Sequence, residues 1–210
     1  MTTVGKLTLD GLIPVNCYFL ERDGKCFVVD PGYRKQAILD YLAQNGLDPV
    51  GILLTHAHVD HIGALDCCDV PVYLHASDYD LLFDDDRNGF DRYGLRKTYR
   101  PENLEVIPVE DGANLPLGNG LVSVIHTPGH TGGSVCYRMD EHLLTGDTLF
   151  AGGVGRWDRP TASLEQLQAS LLDIIENHDD AIRIFPGHGE SSTIGREREG
   201  NPFYHAWKRP

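Results

Sequence analysis

Three imidazoles and one carboxylate lie within seven residues of this chain, in Thr55-His56-Ala57-His58-Val59-Asp60-His61, directly after the apolar run Val50-Gly51-Ile52-Leu53-Leu54. Side chains alternate across an extended backbone, so we expect His56 and His58 to point the same way. A turn after the strand would bring Asp60 and His61 to a neighbouring point. Because neutral imidazole and carboxylate bind zinc, iron or manganese, the stretch predicts one half of a two-metal site. The alternative interpretation is a solvated surface loop.

Three later strand-like runs also end at a potential metal ligand in a glycine-containing loop. These runs, each with its ligand, are 121–125 with His130, 141–145 with Asp147, and 182–185 with His188. Strands that end at the same edge of a sheet assembly bring their loops together, and open α/β architectures bind ligands there. The pattern therefore predicts that four loops share one site, with glycines allowing the sharp turns.

The composition narrows the classes of partner. The chain has 210 residues, 41% of them hydrophobic, and we expect a single domain over residues 1–210. The formal charge of -13 would repel a phosphate backbone, which disfavours nucleic-acid substrates. We find no apolar segment of signal-peptide type and no run near the ~20 apolar residues of a membrane span. These features predict a cytoplasmic protein that does not bind a membrane.

The five cysteines indicate neither a disulfide framework nor a thiolate metal site. Their number is odd, Cys67 and Cys68 are adjacent, and no CxxC is present. Cys17, Cys26 and Cys136 lie in strand-like runs and are expected to be small core residues.

Local patterns predict strands in the N-terminal third and helices at four places. Short β-prone runs predict strands over 4–9, 15–20, 26–29, 50–54 and 70–74, with a hairpin at Arg22-Asp23-Gly24. Periodicity and capping residues predict helices over 36–45, 62–65, from 164 onward, and 193–199. Ser163 with Gln166 is the predicted capping box of the long helix, and Ser77 with Asp80 predicts another ahead of Leu81.

Residues 83–103 differ in character from the rest of the chain. Asp84-Asp85-Asp86 is followed by aromatic and basic residues, among them Tyr93 and Arg96. A long loop inside a compact domain is usually functional or mobile. We leave two interpretations open, a solvated insertion and a substrate lid.

Four motifs in this order resemble the metallo-β-lactamase superfamily: His-x-His-x-Asp-His at 56–61, Pro-Gly-His ending at 130, Gly-Asp ending at 147, and Pro-Gly-His-Gly around 188. The resemblance covers most of the chain. It implies an α/β fold, a four-layer αββα sandwich, with the metals at one edge between the two sheets.

The resemblance also implies which residues hold two divalent metal ions. The first ion would bind His56, His58 and His130, the second would bind Asp60, His61 and His188, and Asp147 would bridge both. Zinc is expected, with iron or manganese as alternatives. A bridging hydroxide would be the nucleophile, and Asp60 would have a catalytic role in orienting it or moving its proton. Asp30 would support a ligand histidine from behind or cap a turn.

Within the superfamily, the chain resembles the type II glyoxalase group. The shared residues are Thr145-Gly146-Asp147-Thr148-Leu149-Phe150 and Gly155-Arg156-x-Asp158. Full-length type II glyoxalases carry a C-terminal helical domain that contacts glutathione, whereas only residues 189–210 follow His188 here. The leading hypothesis is hydrolysis of a small anionic thioester similar to S-lactoylglutathione, with weakened glutathione binding. Arg156 is the candidate for binding a substrate carboxylate, and the alternative is an ordinary surface ion pair.

Other functions remain open at this stage. A mononuclear iron persulfide dioxygenase would use His56, His130 and Asp147 as a two-His-one-carboxylate set. A lactone, β-lactam or other ester hydrolase would use the same metal pair. A non-enzymatic binding module is disfavoured because all seven ligands are present, and the acidic charge disfavours a nuclease. Metal content and substrate assays separate these hypotheses.

Overall fold

The computed structural model describes residues 1–11 and 13–208, which contain two six-stranded β-sheets. In spatial order and in chain order, the first sheet contains β1 (Thr3–Leu9), β2 (Val15–Arg22), β3 (Lys25–Val29), β4 (Asp48–Leu53), β5 (Val72–His75) and β6 (Val106–Val109). Strands β1 to β3 pair antiparallel, and β3 to β6 pair parallel.

The second sheet also follows chain order from one edge to the other. It contains β7 (Asn114–Leu117), β8 (Gly120–His126), β9 (Val135–Met139), β10 (His142–Gly146), β11 (Arg183–Pro186) and β12 (Ser192–Thr193). The β10–β11 pair is parallel and the other pairs are antiparallel. Strands β8, β10 and β11 therefore run in the same direction and end at the same edge.

Seven α-helices and two 3₁₀ helices connect the strands within the described residues. The α-helices are α1 (Lys35–Asn45), α2 (Val59–Ile62), α3 (Asp85–Asn88), α4 (Phe90–Tyr93), α5 (Leu164–Glu176), α6 (Ile194–Gly200) and α7 (Pro202–Trp207). The 3₁₀ helices span Ala76–Leu82 and Pro101–Asn103. The Ser163 hydroxyl accepts a hydrogen bond from the Gln166 N–H, which confirms the predicted start of α5.

Alternation along the strands produces three apolar layers. In β2, Tyr18 and Leu20 face the second sheet, whereas Cys17 and Phe19 face outward. The outward face of the first sheet packs against α1 and α2, and the outward face of the second sheet packs against α5, α6 and α7. Two sheets covered by helices on both sides form the predicted four-layer αββα sandwich.

The hairpin between β2 and β3 forms where the turn residues predict it. Arg22 pairs with Lys25, which leaves Asp23 and Gly24 as the two-residue loop. Their φ angles are 57° and 77°, the left-handed region that a tight type I′ turn requires.

Two local predictions are wrong. The helix predicted over 62–65 spans Val59–Ile62 instead, because the chain turns directly after His58 and ends the helix at Gly63. A Cβ on Gly63 would lie 2.4 Å from Tyr33 Cδ1 and 2.6 Å from the Gly32 carbonyl oxygen, so only glycine fits against these residues. Asp60 and His61 are therefore helical residues.

The predicted capping box at Ser77 and Asp80 is the second wrong prediction. The 3₁₀ helix starts earlier, at Ala76, and His75 Nδ1 accepts the hydrogen bond from the Ser77 N–H. The reason is that β5 extends to His75, so the cap lies at the end of the strand.

The 83–103 segment is an ordered structural element and not a bare loop. Helices α3 and α4 lie within it, and Asn88 and Phe90 are almost fully buried. Lys97 pairs with Asp85 and donates a hydrogen bond to the Leu82 carbonyl. The segment is therefore fastened to the first sheet layer.

No helix among residues 1–11 and 13–208 has the length and apolar character needed to cross a membrane.

The Tyr137 hydroxyl joins the two sheets by donating a hydrogen bond of 2.9 Å to the Leu54 carbonyl, just before the histidine stretch. Tyr137 is fully buried, so Tyr137→Phe leaves this carbonyl without that partner. We expect the free energy of unfolding to fall by about 1–3 kcal/mol in urea titrations of metal-free protein. Tyr79→Phe, at an exposed side chain, is the control and should change it by less than about 0.5 kcal/mol. Equal effects would contradict the role of Tyr137.

Candidate metal centre

Four strand ends carry the seven candidate ligands to one edge between the sheets. Strand β4 leads to the histidine stretch, and β8, β10 and β11 lead to His130, Asp147 and His188. The Val135 N–H donates to the Thr55 carbonyl and the Asn16 N–H donates to the Gly187 carbonyl, both at 2.8 Å. These backbone bonds join loops of opposite sheets at the site.

The first group of side chains is His56, His58 and His130, whose nearest nitrogen atoms all lie within 4.8 Å of one another. His58 Nδ1 and His130 Nε2 are 2.8 Å apart. The His56 Nε2 atom is buried and has no hydrogen-bond partner among the described residues. A buried polar nitrogen without a partner is costly, so an occupant that accepts its lone pair fits here.

The second group is Asp60, His61 and His188, again within 4.8 Å. His188 Nε2 lies 3.2 Å from Asp60 Oδ2, and His61 Nε2 lies 3.8 Å from the same oxygen. The side chains of Asp60 and His61 are buried, whereas His188 is about one quarter exposed and faces a cleft.

Asp147 lies between the two groups. Its Oδ1 atom is 3.5 Å from His61 Nε2, and its Oδ2 atom is 3.5 Å from His130 Nε2 and 3.4 Å from His188 Nε2. The Oδ1 atom is buried without a hydrogen-bond partner among the described residues. One carboxylate therefore contacts nitrogens of both groups, as a residue shared by two cations would.

The Nδ1 atoms of His130 and His188 already have hydrogen-bond partners outside the centre. His130 Nδ1 donates to the Arg156 carbonyl at 2.8 Å, and His188 Nδ1 donates to the Pro14 carbonyl at 2.6 Å. A carbonyl only accepts, so each ring carries its proton on Nδ1 and presents Nε2 to the centre. Such outer hydrogen bonds are typical of metal-ligating histidines. The donor set and its orientation fit a metal centre.

Asp30 holds the start of the histidine stretch. Its carboxylate accepts hydrogen bonds from the Thr55 N–H at 2.9 Å and from the Thr55 hydroxyl at 2.7 Å. Its Oδ2 atom also lies 2.9 Å from His61 Nδ1. Asp30 has a φ of 52°, so it occupies a turn as well. The two sequence-based interpretations of Asp30, ligand support and turn residue, describe the same arrangement.

Asp78 is a buried residue that the sequence analysis missed. Its carboxylate accepts from the Ala57 N–H at 3.0 Å, the Gly133 N–H at 2.8 Å and the Thr131 hydroxyl at 2.8 Å. It therefore ties the histidine stretch to the loop that carries His130. Asp78 was overlooked because Ser77 and Asp80 were assigned to a helix cap. Its position, three residues after a buried strand, is the feature of the sequence that could have indicated it.

Two glycines leave the space that the site needs. A Cβ on Gly187 would lie 2.5 Å from Asp147 Oδ1 and 2.7 Å from His61 Cε1. A Cβ on Gly155 would lie 1.9 Å from the Asp147 carbonyl oxygen. Both glycines are required by close approach to the ligands.

Burial and neighbouring charges set the protonation of the metal-free site. Burial, with His130 next to it, lowers the pKa of His58 to about 3, and burial holds the pKa of His56 well below its usual range. Burial alone would lower the pKa of His188, but the Asp147 carboxylate outweighs it and raises the pKa to about 10. His56 and His58 are therefore neutral near neutral pH, and His188 is protonated.

A cleft of about 650 Å³ opens in front of the candidate ligands. Apolar side chains such as Phe150 line it together with Arg156. The Arg156 guanidinium makes a bidentate ion pair with Asp158, at 2.9 Å and 2.6 Å, and is largely exposed. Arg156 therefore lies where a substrate would bind, while its charge is shared with Asp158.

The profile of the Metallo-beta-lactamase superfamily matches residues 10–188. The chain belongs to the metallo-β-lactamase superfamily. Members of this superfamily use metals, and the His/Asp cluster lies within the matched region.

Individual relatives cover nearly the whole chain. It is 36% identical over 200 residues to "Probable metallo-hydrolase YqgX" of Bacillus subtilis, covering 92% of this chain and 93% of the relative. It is 31% identical over 206 residues to "Hydroxyacylglutathione hydrolase GloC" of Haemophilus influenzae, covering 91% and 96%. These similarities support a probable metallo-hydrolase.

Solved structures of the same fold are also similar. The BLEG-1 B3 metallo-beta-lactamase superposes with a TM-score of 0.87 at 36% identity, covering 96% of this chain and 99% of that structure. TTHA1623 in a di-iron-bound form superposes with a TM-score of 0.83 at 36% identity, covering 95% and 99%.

Gly187→Ala should weaken metal binding while preserving the fold, because the added Cβ displaces Asp147 or His61. We expect at least a tenfold loss of zinc affinity, on the scale of disturbed ligand support. Competition with a chromophoric chelator measures it, with circular dichroism as the check on folding. The control is Gly200→Ala, where an added Cβ meets nothing within 4 Å. Unchanged affinity in Gly187→Ala would contradict the predicted crowding.

Metal uptake should release a proton from His188. Its pKa of about 10 in the metal-free protein lies above neutral pH, so the ring is protonated, and a metal ligand must be neutral. Near neutral pH, we expect about one more released proton per chain than in His188→Gln, and this difference should disappear as pH rises above 10. Calorimetric titration in buffers of different ionisation enthalpy counts the protons. Equal counts for both proteins would contradict this assignment.

Proposed function

We propose that this chain is a dinuclear metal-dependent hydrolase that cleaves a small anionic thioester similar to S-lactoylglutathione. The observation that carries the proposal is the pair of ligand groups, His56 with His58 and His130, and Asp60 with His61 and His188, which both adjoin Asp147. We further propose that residues 1–210 form one domain and that zinc is the metal. The di-iron form of the similar TTHA1623 supports iron as an alternative.

In this proposal, each group would hold one divalent ion and Asp147 would contact both. Such a pair lowers the pKa of bound water towards neutrality and polarises the carbonyl under attack. The imidazole orientation supports this role because the Nε2 atoms of His130 and His188 already point to the centre. A serine or cysteine nucleophile is not required.

Asp60 is the residue proposed to orient the attacking water and to accept its proton. Its Oδ2 atom lies at the centre, 3.2 Å from His188 Nε2, and the residue lines the cleft. Charge from His61 holds the pKa of Asp60 below its usual value even though burial opposes this. The carboxylate is therefore ionised near neutral pH in the metal-free protein, and its oxygens can accept a hydrogen bond from the attacking water.

The thioester substrate is supported by similarity to the Haemophilus influenzae protein named hydroxyacylglutathione hydrolase. The match covers 96% of that relative, so that protein has about the same length as this chain. A further C-terminal domain is then not needed for the proposed substrate class. Arg156 is the proposed contact for a substrate carboxylate, because it lines the cleft and can exchange Asp158 for the substrate.

A second candidate is β-lactam or lactone hydrolysis. The similarity to the BLEG-1 B3 metallo-beta-lactamase favours it, since that structure matches over almost the entire chain. A strained cyclic amide or ester is an activated carbonyl, and the same cluster would serve for its attack.

Metal analysis combined with three assays tests these functions. Protein purified without added metal, then reloaded with zinc or iron, is assayed with S-lactoylglutathione, a chromogenic cephalosporin, and glutathione persulfide with oxygen uptake. We expect two metals per chain and turnover of the thioester. Asp147→Ala should lose more than the ~10–100-fold typical of an outer supporting residue, and His205→Ala, at an exposed histidine, should not.

The alternative outcomes identify the other hypotheses. Oxygen uptake with one iron per chain and no thioester turnover would favour the persulfide dioxygenase. Cephalosporin turnover without thioester turnover would favour the lactamase candidate. Either result would overturn the thioester proposal.

A further inference from the structure

The wall of the cleft formed by α3 and α4 packs directly on the metal-ligand helix. These helices meet at Gly89, whose φ is 101°, and a Cβ there would lie 3.2 Å from Val59 Cγ1. Val59 immediately precedes Asp60 in α2. Asn88 Nδ2 donates to the Leu81 carbonyl at 2.6 Å, which fixes the turn between the helices. This wall therefore has a defined position beside the candidate catalytic residue.

The same cleft concentrates positive charge in an acidic chain. Apart from the candidate ligands, the charged side chains lining it are Arg87, Arg92, Arg156 and Arg159 against the single carboxylate of Asp86. The chain as a whole carries -13. A cluster of guanidiniums inside a cleft focuses its field there and attracts anions.

Two of these arginines are available to an anion. Arg156 is paired with Asp158, and Arg87 has Asp84 at 3.8 Å. Within 4.0 Å, Arg92 and Arg159 have no carboxylate partner among residues 1–11 and 13–208.

Arg159 is held across the cleft by α4. Its Nη2 atom donates a hydrogen bond of 2.9 Å to the hydroxyl of Tyr93, the residue next to Arg92. Arg159 and Tyr93 are both half-buried, and Tyr93 packs on the apolar core beneath the helix. The contact brings the loop after β10 to α4 and limits the conformations of the Arg159 side chain. An arginine positioned in advance loses less side-chain entropy when it binds.

We propose that Arg92 and Arg159 form an anion subsite that binds acidic groups on the thiol half of the substrate. The inference rests on the proposed thioester hydrolysis and names the substrate class within it, a thioester whose leaving thiol is anionic. Guanidiniums bind carboxylates and phosphates through paired hydrogen bonds, so both a peptide thiol and a phosphorylated thiol have suitable chemistry. The subsite would supply contacts that the acyl half alone does not provide.

Three lactoyl thioesters that differ only in the thiol test the subsite. The carriers are glutathione, which has two carboxylates, coenzyme A, which has phosphates, and N-acetylcysteamine, which is neutral. The proteins are the unmodified enzyme, Arg92→Ala, Arg159→Ala, the double variant, and Arg96→Ala as an exposed arginine in the same segment that does not line the cleft.

For each protein, kcat/KM for an anionic thioester is divided by kcat/KM for the neutral thioester. We expect each single variant to lower this ratio about tenfold for one of the two anionic thioesters. Loss confined to the glutathione compound would identify a carboxylate subsite, and loss confined to the coenzyme A compound would identify a phosphate subsite. Arg96→Ala should leave the ratio unchanged. Equal loss for all three thioesters, or no change in the ratio, would overturn the proposal.

A binding measurement separates this proposal from the proposed reaction. Calorimetry with S-methylglutathione and with coenzyme A does not depend on turnover. We expect binding about tenfold weaker to the double variant for the ligand that the subsite accepts. If no thioester is hydrolysed but this difference is found, the hydrolase proposal fails and the anion subsite stands. If thioesters are hydrolysed and neither ligand distinguishes the variants, only the subsite proposal fails.

Discussion

Two buried carboxylates hold the histidine stretch from both sides, and the arrangement of the candidate centre depends on them. Asp30 accepts from Thr55 at the end of β4, and Asp78 accepts from Ala57 two residues later. A loop in a buried position has backbone N–H groups that require partners, and a carboxylate accepts several at once. These bonds determine where the imidazoles after Thr55 point. Asp78 extends the same restraint to the loop that carries His130.

The candidate metal centre suits cations, whereas the wall of the cleft in front of it attracts anions. The fold places these two groups of side chains on different segments. His130 and His188 donate their outer nitrogens to carbonyls and turn Nε2 to the centre, where His56 Nε2, His61 Nε2 and Asp147 Oδ1 are buried without a hydrogen-bond partner among the described residues. Such an arrangement is costly without cations and well suited to them. The wall around it carries arginines, which favour an anionic substrate near those cations. The arginines of the cleft stand out because the chain as a whole carries a formal net charge of -13.

Much of the architecture follows from local patterns. The strand over 15–20, the Asp23-Gly24 hairpin and the capped start of α5 were each predicted from short windows, because they depend on neighbours in sequence. The helix near residue 60 and the cap near residue 77 were predicted in the wrong places. Close contacts such as that of Gly63 with Tyr33 join segments that lie far apart in the chain, and a short window of sequence does not contain them.

What the sequence determined by itself was the set of side chains that converge, since ligand types at strand ends follow from spacing and chemistry. The αββα class came from the resemblance of those motifs to a known family. Tertiary structure alone decided the roles of Asp78 and Tyr137, because each acts through a hydrogen bond to a backbone group of a distant segment. Tertiary structure also placed Arg159 against Tyr93, which lies in the 83–103 segment that the sequence analysis described as a long loop. Such contacts depend on how the two sheets and their insertions pack, and a one-dimensional pattern carries no record of that packing.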